Sequence, residues 1–162
     1  TKNNHVNGIL RTSLSTKENT VITKQAHDYL SSLLKKLNYV GVLALELFVK
    51  DDMVIANEYA PRVHNSGHWT IEGTDASQFE NHLRAIMDMK LGDTSVHGYA
   101  GMENLIGCIP AKIRDLNNEF FFHDYGKEER QGRKLGHVSI VTPKEEDREI
   151  KLKEIQRIIS QP

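Results

Sequence analysis

The densest group of chemically capable side chains in this sequence lies in residues 57–70. It includes a carboxylate, a guanidinium, two imidazoles and an amide, carried by Glu58, Arg62, His64, His68 and Asn65. The preceding run, residues 54–59, has the composition of a strand, and Pro61 lacks the N–H that would continue its hydrogen-bond ladder. The polar group therefore follows a strand end, where loops on a rigid scaffold commonly carry binding and catalytic residues. Each residue alone is compatible with an ordinary loop, but the cluster indicates a site.

The run before this cluster carries a single charge. Residues 40–49 are apolar on both faces, as expected for a buried strand, and Glu46 is the one ionisable side chain among them. Burying an unpaired carboxylate costs several kcal/mol. We therefore expect Glu46 to face a cation, a metal ion or a wet cleft.

The two runs are predicted to form an antiparallel hairpin with Asp51 and Asp52 in its turn. A three-residue loop, residues 51–53, places Glu46 directly opposite Glu58, whereas a two-residue loop places Glu46 opposite Asn57. Facing carboxylates repel unless a divalent cation lies between them, and Mg²⁺ suits a site with one or two carboxylates. The spacing leaves a second interpretation open, in which one glutamate pairs with an Arg or Lys and the other lies at the surface.

A second polar segment, residues 127–134, contains four cationic side chains around Gly132. Arginine offers a planar fork to phosphate oxygens and lysine a point charge, so such a loop can hold a phosphate monoester. Glu128 and Glu129 weaken the positive field of this loop. On composition alone, a solvated hairpin tip is the better interpretation.

Composition excludes several classes of protein. The chain has 162 residues and a net charge of −1, which gives no electrostatic reason to expect nucleic acid or an anionic membrane as partner. Its one cysteine, Cys108, excludes an internal disulfide and a cysteine-based zinc site, and it suits a reducing cytosol. The sequence contains no apolar run long enough to span a bilayer. We expect a cytoplasmic protein.

Periodicity predicts a mixture of helices and strands. The predicted helices cover residues 18–38, a segment from Ser77 to residues 90–92, residues 111–118 and a last segment that starts at Pro143. The predicted strands, beyond the hairpin, cover an edge strand at 6–10 and residues 102–109, 120–122 and 134–141. Residues 93–101 have few large aliphatic side chains, which is typical of a linker.

Glu46 together with residues 57–70 closely resembles the N5-carboxyaminoimidazole ribonucleotide synthases, ATP-grasp enzymes that form the ATPase subunit of phosphoribosylaminoimidazole carboxylase. A second match covers residues 125–127 and 130–137, where Gln131 replaces the family's usual proline and so removes a rigid turn residue but no ligand. Residues 7–13 and 77–86 also resemble this family, so the likeness covers nearly the whole chain.

The resemblance implies an α+β fold and a domain order. Residues 1–92 are expected to form the C-terminal part of an ATP-grasp domain, an antiparallel sheet with helices. Residues 93–101 are the expected linker, and residues 102–162 the expected small sheet-and-helix C-terminal domain. Family members carry an N-terminal domain and the other half of the ATP-grasp domain before this region, and this chain begins with Thr1. We therefore expect a C-terminal fragment that is inactive alone.

The resemblance also implies a reaction. The family's enzymes use Mg-ATP and bicarbonate to carboxylate 5-aminoimidazole ribonucleotide, an ATP-dependent carbon-nitrogen ligation in purine biosynthesis. The implied roles are magnesium binding by Glu46 and Glu58, ATP binding by Asn57 and Glu58, catalysis by Arg62, His64 and Asn65, and substrate phosphate binding by Lys127, Arg133 and Lys134. The implied partners are these small molecules and a second subunit in a homodimer, without nucleic acid or membrane.

Two other functions remain open from the sequence. Another ATP-grasp ligase with a different acceptor would share Glu46, Glu58 and Arg62, but would have no need of residues 64–68 together with the basic loop. A non-catalytic interaction domain would need neither carboxylate in a wet cleft.

Overall fold

The structure of the chain, a computed structural model, describes residues 1–16 and 20–161. Its strands are β1 (Lys2–Val6), β2 (Ile9–Leu14), β3 (Ala44–Lys50), β4 (Met53–Ala60), β5 (Tyr99–Ile106), β6 (Phe121–Asp124) and β7 (Lys134–Thr142). Its helices are α1 (Thr20–Leu37), α2 (Thr70–Gly73), α3 (Gln78–Ile86), α4 (Ala111–Arg114) and α5 (Glu145–Ser160), with a short 3-10 turn at Asn65–Gly67. This is the predicted α+β class, with antiparallel sheets and helices.

The chain divides into two compact units, each made of segments that are not consecutive in the sequence. Unit 1 contains Thr1–Thr16, Asn65–Ser77 and Asp93–Pro162, and unit 2 contains Lys17–His64 and Gln78–Gly92. The domain boundary expected at residues 93–101 stays a prediction. The strand β5 begins at Tyr99, so the last three residues of that expected linker belong to a strand.

Unit 1 is built on a five-stranded antiparallel sheet in the order β1-β2-β5-β7-β6. The edge strand predicted at residues 6–10 is wrong, because Asn7 and Gly8 form the turn between β1 and β2. Both have positive φ, 52° and 74°, as the two central residues of a type I′ hairpin turn require, and Asn-Gly is the preferred pair there. This turn adds two strands to the sheet where one was expected.

Side chains alternate across this sheet, so its two faces carry different layers. On one face, Leu105, Val138 and Ile140 pack with Leu152 and Ile155 of α5 in the main core. On the other face, Ala100 and Met102 pack against Trp69. The Trp69 contact holds the segment that follows the 3-10 turn against the sheet, and Asn65 of the predicted site begins that turn.

The last helix has the charge pattern of a stable helix. Glu145, Glu146 and Asp147 occupy the first turn of α5 and Arg157 the last, which complements the helix dipole.

The predicted helix at residues 111–118 is shorter than expected, because α4 ends at Arg114. Nearby, Asn117 accepts a hydrogen bond from the Glu119 N–H at 3.0 Å, a local bond that competes with helix continuation.

Unit 2 combines the β3–β4 hairpin with α1 and α3. The predicted start of α1 at residue 18 lies outside the described residues, and its end is confirmed by Asn38, which takes the left-handed conformation at φ 49°. The Gln25 side chain of α1 donates to the Asp52 carbonyl and accepts from the Val54 N–H, at 2.8 and 3.2 Å. The predicted end of α3 is too late, because Asp88 at φ 53° ends it near Ile86. None of the helices in the described part of the chain is long and apolar enough to cross a membrane.

The contribution of α5 to stability can be measured with two isoleucines of the same helix. Ile155 is fully buried in the main core, whereas Ile150 is 64% exposed. We expect Ile155→Ala to lower the free energy of unfolding by about 2–5 kcal/mol, because it removes buried methyl groups and leaves a cavity. Ile150→Ala is the matched control, expected to change it by less than about 0.5 kcal/mol. Equal losses in urea unfolding of the two variants would contradict the packing described above.

Candidate functional site

The hairpin of unit 2 places the two predicted metal-binding glutamates opposite each other. Glu46 of β3 and Glu58 of β4 are partners in the ladder, so their side chains lie on the same face. Of the two loop lengths considered from the sequence, the structure has the shorter, since only Asp51 and Asp52 join the strands, both at positive φ. A two-residue loop alone would have placed Glu46 opposite Asn57.

A β-bulge restores the pairing. The register runs from Lys50 opposite Met53 to Leu47 opposite Ala56, and then Glu46 pairs with Glu58, so Asn57 is the extra residue of β4. One additional residue in one strand shifts every later side chain to the other face. The bulge at Asn57 therefore brings Glu58 onto the face of Glu46.

The neighbours of Glu46 are other residues of the predicted site. One carboxylate oxygen lies 3.6 Å from His64 Nε2, and the other accepts a hydrogen bond from Asn57 Nδ2 at 3.4 Å. Gln78 fixes His64 by accepting from its N–H at 2.9 Å and donating to its carbonyl at 2.8 Å. The structure thus gathers Glu46, Asn57, Glu58 and His64 in unit 2.

These residues form a sparse set of oxygen ligands. Within residues 1–16 and 20–161, no group of three or more His, Cys, Asp or Glu side chains is arranged to hold a metal ion. A magnesium ion bound with nucleotide needs only one or two protein carboxylates, since phosphate oxygens and waters complete its octahedron. The facing Glu46 and Glu58 fit that smaller requirement.

Arg62 follows β4 in unit 2 and is exposed. Its N–H donates to the Ala60 carbonyl at 2.8 Å, and its Nη1 donates to the Val63 carbonyl at 2.9 Å. A guanidinium has five N–H donors, so the bond to Val63 leaves capacity for a planar anion.

Asn65 belongs to unit 1 and is held by an amide partner that the sequence analysis did not assign. Its Nδ2 donates to Asn104 Oδ1 at 3.0 Å, and Asn104 Nδ2 donates back to Asn65 Oδ1 at 2.6 Å. Asn104 is fully buried in β5 and also donates to the Leu10 carbonyl at 3.0 Å. The signal for this role was an amide inside a strand whose other side chains are mostly apolar.

Beside Asn104, unit 1 contains a row of polar side chains across three strands. Asn104 of β5, His137 of β7 and His123 of β6 are directly paired in register and share the sheet face that carries Trp69. The His123 and His137 rings stack with centroids 4.4 Å apart, and His123 Nε2 lies 2.6 Å from a Glu72 carboxylate oxygen. Sequence reasoning missed this row because the register between distant strands is not visible in the chain.

Tyr125 adds a side chain to the row. Its hydroxyl lies 2.8 Å from His137 Nδ1. Burial raises the pKa of Tyr125 to about 12, against the smaller opposing effect of the Asn65 side chain. Burial, with added repulsion from His123 and His68, lowers the pKa of His137 to about 3. His137 is therefore neutral near pH 7, and the tautomer of its ring decides which group donates in the bond between Nδ1 and the Tyr125 hydroxyl.

The three predicted phosphate-binding residues lie in unit 1, in the loop from β6 to β7 and at the start of β7. The Lys127 ammonium lies 5.2 Å from the centre of the Tyr125 ring. The backbone of Arg133 is held on both sides, since its N–H donates to Arg130 and its carbonyl accepts from Gly107, at 3.0 and 2.9 Å. Lys134 begins β7 opposite Ile106.

One acidic residue of this loop has a partner in the backbone. One Glu129 carboxylate oxygen accepts a hydrogen bond from the Ile109 N–H at 3.0 Å, so this side chain is directed at the backbone. Gly132 allows the tight turn before Arg133 through a positive φ of 74°.

The neutral state of His137 should make stability depend on pH. Its pKa falls from 6.5 in the unfolded chain to about 3 in the folded protein, so the unfolded chain binds an extra proton between these values. Stability is therefore lost as the pH falls from 6.5 towards 3, by at most about 1.4 kcal/mol per pH unit from this one group.

We expect His137→Asn to reduce this slope in urea unfolding between pH 7 and pH 5, although it lowers stability at pH 7. His27→Asn, at a side chain that is 76% exposed, is the control and should leave the slope unchanged. A slope that persists in His137→Asn would show that another group causes it.

Comparison with known protein families accounts for most of the chain. Residues 1–79 match the ATP-grasp domain, and residues 100–151 match the phosphoribosylaminoimidazole carboxylase C-terminal domain. The N5-carboxyaminoimidazole ribonucleotide synthase of Pseudomonas aeruginosa is 42% identical over 97% of this chain, which covers 44% of that protein.

Solved structures agree with this assignment. The N5-carboxyaminoimidazole ribonucleotide synthetase of Thermus thermophilus matches with a TM-score of 0.92 and 43% identity over 99% of this chain and 45% of its own. The Aspergillus clavatus synthase, in complex with ADP and 5-aminoimidazole ribonucleotide, matches with a TM-score of 0.89 and 26% identity over 98% of this chain and 46% of its own. The chain therefore belongs to the N5-carboxyaminoimidazole ribonucleotide synthase family of ATP-grasp proteins, and it spans less than half the length of the relatives that it matches.

Proposed function

We propose that this chain contributes metal-binding, catalytic and ribonucleotide-binding residues to an ATP-dependent ligase that carboxylates 5-aminoimidazole ribonucleotide. The observation that carries the proposal is the pairing of Glu46 with Glu58 on one face of the hairpin, next to Asn57 and His64. Two facing carboxylates suit a shared cation, and a nucleotide-bound Mg²⁺ provides one. The names of the relatives and the aminoimidazole ribonucleotide bound to one of them support the substrate.

The proposed reaction has three steps. A bicarbonate oxygen attacks the terminal phosphorus of ATP, which forms carboxyphosphate and releases ADP. Carboxyphosphate then breaks its C–O bond to the phosphoryl group and gives CO₂ and phosphate. The exocyclic amine of the ribonucleotide attacks the carbon of CO₂, forms the N–C bond and loses a proton, which yields N5-carboxyaminoimidazole ribonucleotide.

In this proposal, Glu46 and Glu58 hold Mg²⁺ and Asn57 lines the nucleotide site. The ion, when bound, supplies positive charge to the oxygens of the transferred phosphoryl group. The bond from Asn57 Nδ2 to Glu46 orients the carboxylate whose other oxygen faces His64. The amide thus helps to hold Glu46 in position.

Arg62 and His64 serve the carboxyphosphate in this proposal. The guanidinium of Arg62 is exposed, and its planar fork matches a pair of oxygens on the carboxylate or the phosphoryl group of that anion. The backbone of His64 is fixed by both groups of the Gln78 amide, so its imidazole is presented from a rigid main chain. Preorganised donors of this kind lower the barrier most where charge develops during the reaction.

Asn65, Lys127, Arg133 and Lys134 of unit 1 serve the ribonucleotide. Lys127 and Arg133 extend from a loop whose backbone is tied down at Tyr125 and Arg133. Their charges suit the phosphate monoester, while Asn65 serves its reacting amine. A homodimeric state and a cytoplasmic location are further parts of the proposal and rest on the family resemblance.

The function is tested with the protein at its full natural length. We expect release of ADP that requires both bicarbonate and 5-aminoimidazole ribonucleotide, with formation of the carboxylated nucleotide. Other amine-bearing ribonucleotides, assayed at the same concentration, are the matched controls. Faster ADP release with one of these would identify a ligase with a different acceptor.

The proposed division of roles predicts different kinetic effects for two arginines. Arg62→Ala should mainly lower kcat, by about 100-fold, because its anionic partner gains charge during the reaction. Arg133→Ala should mainly raise the KM for the ribonucleotide, by about tenfold or more, because phosphate is bound equally in ground and transition states. Steady-state kinetics of the full-length protein measure both.

Arg130→Ala is the control for the basic loop, since Arg130 is exposed in the same loop and has no proposed contact with substrate. We expect a KM close to that of the wild type. An unchanged KM in Arg133→Ala would remove the loop from the site and leave it a solvated hairpin tip.

The 162 residues alone are expected to show no ATPase or synthase activity. Phosphoryl transfer requires the nucleotide to be held from both sides, and the family members are more than twice as long as this chain. The measurement is bicarbonate-dependent ADP release by the purified chain. Such release would refute this expectation.

A further inference from the structure

The side chain of Asn65 is held by a residue that has no surface of its own in contact with solvent. Asn65 is half-buried at the start of the 3-10 turn in unit 1, whereas its partner Asn104 is fully buried in β5. The two side-chain amides exchange hydrogen bonds that are 3.0 and 2.6 Å long. In the proposed function, on which this inference rests, Asn65 serves the reacting amine of the ribonucleotide.

The Leu10 carbonyl determines the orientation of the Asn104 amide. Asn104 Nδ2 donates to this carbonyl at 3.0 Å, and a carbonyl oxygen can only accept. The reverse orientation would place Asn104 Oδ1 against the Leu10 oxygen and lose this bond, so the partners assign the oxygen and the nitrogen of the amide. Asn104 therefore presents a donor to Asn65 Oδ1 and an acceptor to Asn65 Nδ2.

The fixed amide of Asn104 in turn fixes the amide of Asn65. A half-turn of the Asn65 amide would bring donor against donor and acceptor against acceptor, so its oxygen must face Asn104 Nδ2. An amide oxygen has two lone pairs, and Asn104 occupies one of those on Asn65 Oδ1. The other lone pair has a set direction, and it can accept an N–H of the exocyclic amine.

A second buried side chain holds the backbone next to Asn65. The Ser13 hydroxyl of β2 donates to the Ser66 carbonyl at 2.7 Å. Ser13 is fully buried and pairs directly with Met102, so it lies on the same sheet face as Asn104. The side chain of Asn65 and the main chain beside it are thus both tied to this sheet.

The direction of the amine matters because the proposed reaction releases free CO₂ from carboxyphosphate. The exocyclic amine must attack this CO₂ before it diffuses away. An amine that donates one N–H to a fixed Asn65 oxygen keeps its lone pair in a set direction, whereas an amine with a mobile partner does not. A misdirected amine lets CO₂ escape, so ATP is consumed and no carboxylated nucleotide is formed.

We propose that Asn104 is a positioning residue for this reaction, whose amide directs the Asn65 oxygen towards the exocyclic amine, while Ser13 holds the backbone beside it. Asn104 and Ser13 are fully buried, so neither touches the substrate. The signature of this role is the number of ADP molecules released for each carboxylated nucleotide formed. Lost stability alone lowers both products equally and leaves this ratio unchanged.

The test measures ADP and the carboxylated nucleotide in the same reaction of the full-length protein. Asn104→Leu keeps the approximate size of the side chain and removes its amide. We expect kcat for the carboxylated nucleotide to fall by about tenfold and the ratio of ADP to this nucleotide to rise from about one to about two or more. The KM for the ribonucleotide should stay within about twofold, because the phosphate contacts are intact.

A double-mutant cycle shows whether Asn104 acts through Asn65. We expect the Asn65→Ala/Asn104→Leu double variant to have the kcat and the ADP-to-nucleotide ratio of Asn65→Ala alone, because no amide is left to direct. Ser13→Ala removes a single hydroxyl and keeps both amides. Its ratio should also rise above one, and it decides the proposal if Asn104→Leu does not fold.

Thr12→Val is the matched control for lost stability. Thr12 neighbours Ser13 in β2 but faces the opposite side of the sheet, where its hydroxyl donates to Glu103 at 2.6 Å. The substitution removes a buried hydrogen bond of the same sheet on the face away from Asn65. We expect a lower unfolding midpoint and an unchanged ratio of ADP to carboxylated nucleotide.

The outcomes distinguish this inference from the proposed function. A full-length wild type that does not carboxylate 5-aminoimidazole ribonucleotide overturns the proposed function and the inference together. An active wild type whose ratio is unchanged in a folded Asn104→Leu variant overturns the inference alone, as does a double variant in which the two losses multiply. A ratio raised equally in Thr12→Val would attribute the escape of CO₂ to lost stability and would also overturn it.

Discussion

The row Asn104–His137–His123, fully buried at Asn104 and His137 and half-buried at His123, is the constraint on which the polar site of unit 1 depends. Each of these side chains is placed on one sheet face by direct pairing across β5, β7 and β6. Polar groups in this position cost free energy unless they find partners, and two of the partners come from the segment that packs on that face. Asn65 bonds Asn104, Glu72 bonds His123, and Tyr125 bonds His137. The site geometry of unit 1 therefore follows from satisfying the sheet.

In unit 2, the position of the two glutamates depends on a β-bulge. A single extra residue in β4, Asn57, brings Glu58 onto the face of Glu46. The side chain of Asn57 also donates a hydrogen bond to Glu46. The same residue therefore sets the pairing of the two strands and contacts one of the glutamates. Bulges next to functional residues commonly redirect a side chain in this way. A deletion of Asn57 would turn Glu58 to the opposite face, whereas a substitution would keep the register and lose only the amide.

The sequence predicted what depends on local pattern and missed what depends on pairing between distant segments. The glutamate pair, the α+β class and the end of α1 at Asn38 follow from nearby residues, and the structure contains them. The Asn7-Gly8 turn was also a local signal and was overlooked in favour of one edge strand. The partners of Asn65 could not be predicted, because Asn104 is 39 residues away and its facing depends on the register of a sheet. The bulge that combines a two-residue loop with the pairing of Glu46 and Glu58 could not be predicted for the same reason, since a bulge is a property of two strands together.

The chemistry of the two units differs because their burial differs. Glu58 and Arg62 are exposed to water, which suits groups that exchange water for magnesium and phosphate. Asn65 exchanges hydrogen bonds with the buried amide of Asn104, and Tyr125 bonds His137. A change of pH near 7 does not reorganise these contacts, because His137 does not accept a proton there. It follows that the orientation of Asn65 should be independent of the ionic state of the nucleotide, whereas the contacts of Glu46, Glu58 and Arg62 should depend on it.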